Sequence, residues 1–237
     1  MLYSLDHASH YGTIPVPIPN IRGGACIMDI NELRDSYDQV AGEYVTRIFH
    51  ELEHKPLDRA LLDRFAAEVR GLGTVCDMGC GPGHIAQYLH KRAVHVLGID
   101  VSPRMVEQAR QLNPGIEFQQ GDMSSLDVEN EAWGGIVAFY SIIHIPRAEV
   151  ISVLREFRRV LRPNGLLLLS FHQGQEIIHL DELWGEKVAL DFVFFQLHEM
   201  EDYLKAAGFE IEDSIERPPY EGFEVQTRRV YIFARKP

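Results

Sequence analysis

Glycines and a carboxylate stand together in residues 77–83, which read Asp-Met-Gly-Cys-Gly-Pro-Gly. An apolar segment precedes this stretch, and a helical pattern follows it. Glycine lets the backbone turn tightly and lets a ligand approach without a Cβ in the way. The helix that follows points its first amides towards such a ligand. A glycine-rich loop alone is a weak signal, but its position between a strand and a helix predicts a ligand-binding loop.

Two more aspartates follow the next predicted strands. Asp100 lies 23 residues after Asp77 (100 − 77), where a carboxylate can accept hydrogen bonds from both hydroxyls of a ribose. Asp122, in Gly121-Asp122-Met123, can accept from the exocyclic amine of adenine while a neighbouring amide donates to a ring nitrogen. Each aspartate alone could be an ordinary helix cap or turn residue. Three strand ends that each suit one part of an adenosine predict a nucleoside-binding site.

The elements that hold these loops alternate along the chain. Strands are predicted at residues 74–78, 94–99, 116–120, 135–140 and 166–171, with helices between them and two helices before them, from Asp29 and from Pro56. Repeated strand–helix–strand units imply a doubly wound α/β fold with a mostly parallel sheet and right-handed crossovers. A helix at 198–207 and β-rich segments at 209–215 and 226–234 predict a closing antiparallel pair of strands.

The length of 237 residues suits one large domain, which we place at residues 28–237. Residues 1–27 contain Pro15, Pro17 and Pro19 alternating with Ile and Val, a pattern that predicts an extended arm outside the domain. Residues 172–197 mix charges with aromatic side chains. We expect this segment to be irregular and to form a lid over a substrate.

Charge and cysteine content limit the partners and the compartment. The formal net charge is −12, so phosphate backbones and anionic membranes are disfavoured as partners. The three cysteines, Cys26, Cys76 and Cys80, lack disulfide or zinc spacing and indicate a reducing compartment. No apolar run approaches the ~20 residues that span a bilayer, and the N-terminus has no signal pattern. We therefore expect a cytoplasmic protein.

With these motifs in place, residues 75–83 resemble the first motif of class I S-adenosylmethionine-dependent methyltransferases. Asp100, Asp122-Met123 and residues 161–166 match later motifs of that family. Residues 36–44 are similar to the N-terminal helix of its small-molecule branch, which includes the ubiquinone and menaquinone methyltransferases. The resemblance implies a Rossmann-like sheet of seven strands with the last one antiparallel. It also implies S-adenosyl-L-methionine as cofactor and a small-molecule methyl acceptor whose oxygen, nitrogen or carbon nucleophile stays open.

The resemblance also assigns the site residue by residue. The cofactor-binding residues that it implies are Tyr37, Tyr44, Asp77, Gly79, Cys80, Gly81, Asp100, Val101, Asp122, Met123 and Phe139. Tyr37 and Tyr44 share one helix face, and core packing explains them equally well. On the acceptor side, Tyr140 and His144 follow the fourth strand and could orient the acceptor or take its proton. A structural histidine bonded to a backbone carbonyl is an equal alternative for His144.

Three other functions share part of the pattern. A nicotinamide-dependent dehydrogenase would use the glycine loop and Asp100, but Gly83 follows Gly81 by two residues where dinucleotide folds usually leave three. A non-catalytic module that only binds the cofactor would need the same residues, since a fold does not prove turnover. His50 and His54 with Glu51 match a zinc-protease pattern, although Lys55-Pro56 interrupts the helix which that pattern needs. We expect no metal site.

Overall fold

A seven-stranded sheet runs through the structure, a computed structural model that describes residues 20–21 and 29–237. In chain order the elements are β1 (Asn20–Ile21), α1 (Ile30–Ile48), α2 (Pro56–Glu68), β2 (Val75–Met78), α3 (His84–His90), β3 (Val96–Asp100), α4 (Pro103–Leu112), β4 (Glu117–Gln120), β5 (Trp133–Phe139), α5 (Val150–Val160), β6 (Leu161–His172), β7 (Ile177–Leu183), β8 (Glu186–Val193), α6 (Leu197–Ala207), β9 (Glu210–Arg217) and β10 (Arg229–Arg235). The strand order is β4-β3-β2-β5-β6-β10-β9, and β10 runs antiparallel to both of its neighbours. The predicted fold class and the antiparallel last strand are confirmed.

The central strands are apolar on both faces because helices cover both. In β6, Leu167 and Leu169 join the core formed with α5 and α6, whereas Leu166 and Leu168 join the core formed with α2 and α3. All four leucines are fully buried. This is the burial expected of a parallel strand with helices on both sides, and it explains why the segment reads as a continuous apolar run. None of the helices in the described part of the chain is long and apolar enough to span a bilayer.

Side-chain caps fix helix α1 to the start of α4. Ser102 caps α4 by accepting a hydrogen bond from Met105 N at 3.0 Å. Its hydroxyl donates to Asp38 Oδ1 at 2.5 Å, and Arg104 N donates to the same oxygen at 3.1 Å. Asp38 on α1 therefore supplies a second acceptor for the exposed amides of α4. This contact lays α1 across the carboxyl end of β3.

Residues 177–193 form a β-hairpin, so the irregular structure expected for residues 172–197 is wrong. Strands β7 and β8 pair antiparallel around the two-residue turn Trp184-Gly185. Both turn residues have positive φ, 55° and 88°, as the common two-residue hairpin turn requires. The strands lack a clean polar–apolar alternation, and helix α1 contacts β8, where Ser36 accepts from Ala189 N at 2.9 Å.

The first strand adds to this hairpin. Residues 20–21 pair antiparallel with β7, with Asn20 opposite His179. The rest of the predicted arm, residues 1–19 and 22–27, lies outside the described residues. The arm expected to stand apart from the domain therefore contacts the hairpin at these two residues.

A buried group of charges joins the two ends of the chain. We call it the ionic cluster; its members are Glu51, Lys55, Asp58, Arg217, Glu224 and Arg229. Arg217 bonds Asp58 Oδ2 at 2.9 Å and Glu224 Oε2 at 2.6 Å. Lys55 bonds Glu224 Oε1 at 3.1 Å. Because an unpaired buried charge is strongly destabilising, these pairs hold α2 against β9 and the loop before β10.

We expect Arg217→Met to lower the free energy of unfolding by about 3 kcal/mol, because it leaves Asp58 and Glu224 short of a buried partner. Denaturant unfolding measures this change. Arg228→Met is the matched control, since Arg228 is 56% exposed and its pair with Glu216 spans 3.3 Å; its effect should stay within about 0.5 kcal/mol. Equal losses in the two variants would show that the ionic cluster does not stabilise the fold.

Candidate functional site

The glycine loop joins β2 to α3 and is held against the end of β5. Gly79 has φ 69°, and a Cβ built there would lie 2.3 Å from Ser141 Cβ. Ser141 donates to the carbonyl of Met78 at 2.7 Å. The close approach of Ser141 thus requires glycine at position 79 and clamps the ends of β2 and β5 together. Sequence reasoning missed Ser141, whose partner is 63 residues away along the chain.

Gly81 and Ser102 share one carboxylate. Gly81 N donates to Asp100 Oδ2 at 2.8 Å, and Ser102 N donates to Asp100 Oδ1 at 2.9 Å. A carboxylate oxygen has two lone pairs, so each oxygen can still accept from a ligand. Burial raises the pKa of Asp100 to about 6, against the opposing effect of these backbone hydrogen bonds. Asp100 is therefore a rigid, buried acceptor directly beside the glycine loop.

Asp77 stands one strand away and faces the helix rather than the loop. Its Oδ2 accepts from Ala86 N at 2.9 Å, which satisfies an amide in the first turn of α3. Burial raises the pKa of Asp77 to about 7, with His84 acting in the opposite direction. Asp77 thus lies at the site, and one of its carboxylate oxygens holds the start of α3 in position.

Asp122 and its neighbours form the far side of the site. Asp122 Oδ1 accepts from Ser124 N at 2.8 Å, which leaves Oδ2 to accept from a ligand. Met123 and Val101 are half-buried beside it and offer apolar surfaces. The arrangement matches the predicted one, with a carboxylate and flanking apolar side chains at the ends of β3 and β4.

Two adjoining cavities collect these residues. The inner cavity encloses ≈ 680 Å³, counting space open to solvent, and all predicted site residues except Asp77 and Cys80 line it. The outer cavity encloses ≈ 2240 Å³ on the same measure, and Asp77 and Cys80 are part of its wall. Tyr37, Tyr44 and Phe139 line both cavities. The structure therefore brings the predicted residues together around two adjoining cavities.

Tyr37 and His144 form a hydrogen-bonded pair at the junction of the cavities. Their Oη and Nε2 atoms lie 2.6 Å apart, and His144 Nδ1 lies 2.9 Å from the carbonyl oxygen of Asp191. Since a carbonyl only accepts, Nδ1 carries the proton and Nε2 accepts from the tyrosine. Burial lowers the pKa of His144 to about 4, so the imidazole is neutral at pH 7. His144 therefore has both the hydrogen bond to a backbone carbonyl that is expected of a structural histidine and the position beside the cavity that is expected of a functional one.

Tyr140 occupies the site with its backbone and ring, while its hydroxyl points to the ionic cluster. Tyr231 donates to Asp58 Oδ1 at 2.7 Å, so it must accept from Tyr140 at 2.9 Å. Burial raises the pKa of Tyr140 above its ordinary value. The backbone at Tyr140 has φ 52°, which is uncommon for a non-glycine residue. The Tyr140 hydroxyl is thus committed to a structural hydrogen bond.

The aromatic wall of the outer cavity comes largely from residues that the sequence left unassigned. Tyr44 and Trp184 meet edge-to-face at 5.8 Å, and Tyr37 and Tyr44 do so at 6.0 Å. Phe192 packs on His144 with ring centroids 5.0 Å apart. Trp184 lies in the turn of the hairpin and Phe192 in β8, and no pattern local to residues 177–193 assigns either of them to the cavity.

The residues of the zinc-protease pattern do not lie on one continuous α-helix, which that pattern requires. Residues Glu51–His54 make a 3₁₀ turn, and His50 precedes it. Glu51 instead bonds Lys55 at 2.7 Å and His84 at 3.2 Å. The glutamate is therefore part of the wall of the outer cavity.

Comparison with known proteins points to one family. Residues 75–165 match the family described as a methyltransferase domain. Trans-aconitate 2-methyltransferase of Methylobacterium nodulans is 44% identical over 104 residues, which cover 43% of this chain and 39% of that protein. The chain spans about half the length of the curated relatives it matches, with 39%, 47% and 54% of three of them covered.

Solved structures share the fold across most of the chain. Magnesium protoporphyrin IX methyltransferase from Synechocystis PCC 6803, solved with bound S-adenosylmethionine, has a TM-score of 0.64 at 19% identity and covers 90% of this chain and 100% of its own. The [4+2]-cyclase SpnF has a TM-score of 0.65 at 19% identity, covering 91% and 99%. The matched segment contains the glycine loop, Asp100 and Asp122. Residues 75–165 therefore match a methyltransferase domain family, and the chain as a whole shares the Rossmann-like fold of these solved structures.

Proposed function

We propose that this chain binds S-adenosyl-L-methionine and transfers its methyl group to a small-molecule acceptor. One observation carries the proposal: the loops after β2, β3 and β4 bring the glycine loop, Asp100 and Asp122 around a single cavity, and that cavity shares part of its wall with a larger one. The match of residues 75–165 to the methyltransferase domain family supports it, because this segment includes all three loops.

The residues of the inner cavity fit the adenosyl part of the cofactor. Asp100 keeps lone pairs for the two ribose hydroxyls, and Asp122 Oδ2 can accept from the adenine amine. A Cβ on Gly81 would point towards Tyr44, 3.6 Å from its Cε1, so glycine keeps that space open. Val101 and Met123 supply apolar surface for the base. The acceptors and the space thus suit a nucleoside.

Bound S-adenosylmethionine supplies a methyl group already activated on a sulfonium sulfur. The chain then has to align the acceptor and exclude water, and alignment can contribute ~7–11 kcal/mol in favourable systems. The hydroxyl of Tyr37 stands where the two cavities join. It can take the proton of an oxygen or nitrogen acceptor while its own proton passes to His144 Nε2, 2.6 Å away.

A histidine with a pKa of about 4 is a weak base, but it suffices for this reaction. As the new bond forms, a neutral hydroxyl or amine gains positive charge, and its proton becomes strongly acidic. The Asp191 carbonyl fixes the tautomer that leaves Nε2 free to receive the proton. A carbon acceptor needs this pair only if it carries a proton that must be removed. Oxygen, nitrogen and carbon acceptors therefore all stay open.

Two alternatives share the fold and remain to be separated by experiment. A [4+2]-cyclase has the same architecture, which means that the fold alone does not establish methyl transfer. A module that binds the cofactor without turnover is the second alternative. The expected similarity to the ubiquinone and menaquinone branch and the expected cytoplasmic location stay predictions.

Cofactor binding is the first test. We expect S-adenosylmethionine and S-adenosylhomocysteine to raise the melting temperature, since a ligand at ~100 times its dissociation constant adds about 2.7 kcal/mol of stability. NAD serves as the control and should give no shift. Stabilisation by NAD without stabilisation by S-adenosylhomocysteine would contradict the proposal and favour a dehydrogenase.

Asp100→Asn should weaken the binding of S-adenosylhomocysteine by roughly 10–100-fold, because the ribose hydroxyls lose a charged acceptor worth about 1.5–3 kcal/mol. The wild-type affinity should also fall as the pH drops below about 6, where Asp100 takes up a proton. Titration calorimetry from pH 5 to pH 8 measures both effects. The exposed Asp127→Asn variant is the control and should behave as wild type. An Asp100→Asn variant that keeps the wild-type pH dependence would remove Asp100 as its source.

The Tyr37–His144 pair is tested with a change that keeps the ring. Tyr37→Phe removes the hydroxyl alone and should slow methyl transfer by ~10²–10⁴, the usual effect of losing a general base. Tyr44→Phe, on the same helix face, should leave kcat within about threefold, since that hydroxyl has no place in the proton path. His144→Ala should match Tyr37→Phe in rate while S-adenosylhomocysteine affinity changes little. Single-turnover transfer of a labelled methyl group measures these rates, and normal turnover in Tyr37→Phe would exclude the pair.

A further inference from the structure

The outer cavity is walled mainly by apolar and aromatic side chains of the hairpin and the segment after it. These are Ile178, Leu180, Leu183, Trp184, Phe192 and Phe194. The outer cavity is the larger of the two: it encloses ≈ 2240 Å³ against ≈ 680 Å³ for the inner cavity, both counting space open to solvent. Part of that volume borders the glycine loop and would hold the methionine part of the cofactor. The remainder can take a small-molecule acceptor that lies against the apolar wall.

Charged side chains also reach this wall, but their charges cancel. Lys55 and Arg229 line the cavity together with Glu51 and Glu224. Lys55 bonds Glu51 at 2.7 Å and Glu224 at 3.1 Å, and Arg229 lies 3.7 Å from Glu224. A charged acceptor would have to leave water without meeting a spare counter-charge, which is strongly unfavourable.

The other arginine, histidine and aspartate side chains on the wall are Arg47, His50, His54, Asp77, His84 and His172. Arg47 pairs with Glu43 at 3.1 Å and lies over the Trp184 ring at 5.4 Å. Burial lowers the pKa of His172 to about 3, so this histidine is neutral and stacks on Phe194 at 5.1 Å. Each of the lysine and arginine side chains on the wall thus lies beside a carboxylate.

Aromatic side chains from several elements line the outer cavity: Tyr44 comes from α1, Phe139 from β5, and Trp184 and Phe192 from the hairpin. Aromatic rings interact favourably with other rings by stacking or edge-to-face contact. An occupant with several rings can contact more of these side chains at once than a single ring with a flexible chain can.

We infer that the methyl acceptor is an uncharged, compact molecule with several fused rings, held in the outer cavity with its nucleophilic atom at Tyr37. The inference rests on the proposed methyl transfer and adds the chemical class of the acceptor. The apolar rings lie against the hairpin, and the hydroxyl or amine that receives the methyl group donates to the Tyr37 oxygen.

Binding of three probes tests the class in the full chain with S-adenosylhomocysteine at saturation. The probes are 17β-oestradiol, a neutral four-ring phenol; trans-aconitate, a small tricarboxylate; and 2-decylhydroquinone, a single ring with a chain. Calorimetry should give oestradiol a dissociation constant at least about tenfold lower than either of the others. Equal or tighter binding of trans-aconitate or decylhydroquinone, or no binding of oestradiol, would overturn the inference while S-adenosylhomocysteine binding upholds the proposed function. If S-adenosylhomocysteine itself fails to bind, the proposed function falls and this inference falls with it.

The wall residues are tested by truncating one ring. Trp184→Ala should weaken the binding of oestradiol at least about tenfold, which is in the range found when a pocket loses apolar contact. S-adenosylhomocysteine affinity should stay within about threefold. Phe49→Ala is the matched control, because Phe49 packs on His50 at 5.3 Å and lines neither cavity. Unchanged oestradiol binding in Trp184→Ala would place the ligand elsewhere and overturn the inference.

The charge balance is tested by removing one carboxylate. Glu51→Gln leaves Lys55 with Glu224 alone, so the wall gains one net positive charge. Trans-aconitate should then bind about tenfold more tightly than it binds the wild type, while oestradiol changes less than about threefold. No gain for trans-aconitate would show that charge compensation does not select the acceptor.

Discussion

The carboxylate of Asp100 accepts from Gly81 N and Ser102 N, and the geometry of the site depends on this double contact. The first bond sets the glycine loop after β2, and the second sets the start of α4 after β3. Ser102 then donates to Asp38, which places α1 over the same edge of the sheet. Because α1 carries Tyr37 and Tyr44, one buried acid links the nucleoside side of the site to the acceptor side.

Holding acids in this position has an energetic cost that a ligand can offset. Burial raises the pKa of Asp77 to about 7 and that of Asp100 to about 6, which means that the free protein holds these carboxylates against their preference for water. Buried acids with raised pKa values are typical of binding and catalytic sites. The proposed cofactor, with hydroxyl donors and a sulfonium charge, would supply further hydrogen bonds and a positive charge to such acids.

The parts of the site that depend on local sequence could be predicted. A glycine loop, Asp100 and Asp122 each follow a strand directly, and a parallel sheet brings its strand ends to one edge. The hairpin at residues 177–193 could not be found by pattern, because α1 contacts one strand and the cavity borders the other residues. The ionic cluster was equally hidden: Asp58 bonds Arg217, which lies 159 residues away along the chain.

The Tyr37–His144 pair also could not be predicted from local sequence. Both residues were selected from the sequence, Tyr37 for the cofactor and His144 for the acceptor, but they are 107 residues apart and nothing local joins them. Their 2.6 Å contact joins the two residues into one unit. The histidine orients the tyrosine proton, and the tyrosine links the base to the cavity. The Asp191 carbonyl that fixes the histidine tautomer comes from β8.

In the proposed reaction, strand β8 therefore contributes both to the proton path and to the selection of the acceptor. Its Asp191 carbonyl sets the base, and its Phe192 ring forms part of the outer cavity next to that base. In the same proposal, an acceptor that stacks on Phe192 lies close to the Tyr37–His144 pair. The hairpin can change its ring side chains without altering the backbone carbonyl, so the same proton path could serve acceptors of different shape. The loops after β2 and β3 have less freedom, because their contacts depend on Gly79 and on the buried carboxylates of Asp77 and Asp100.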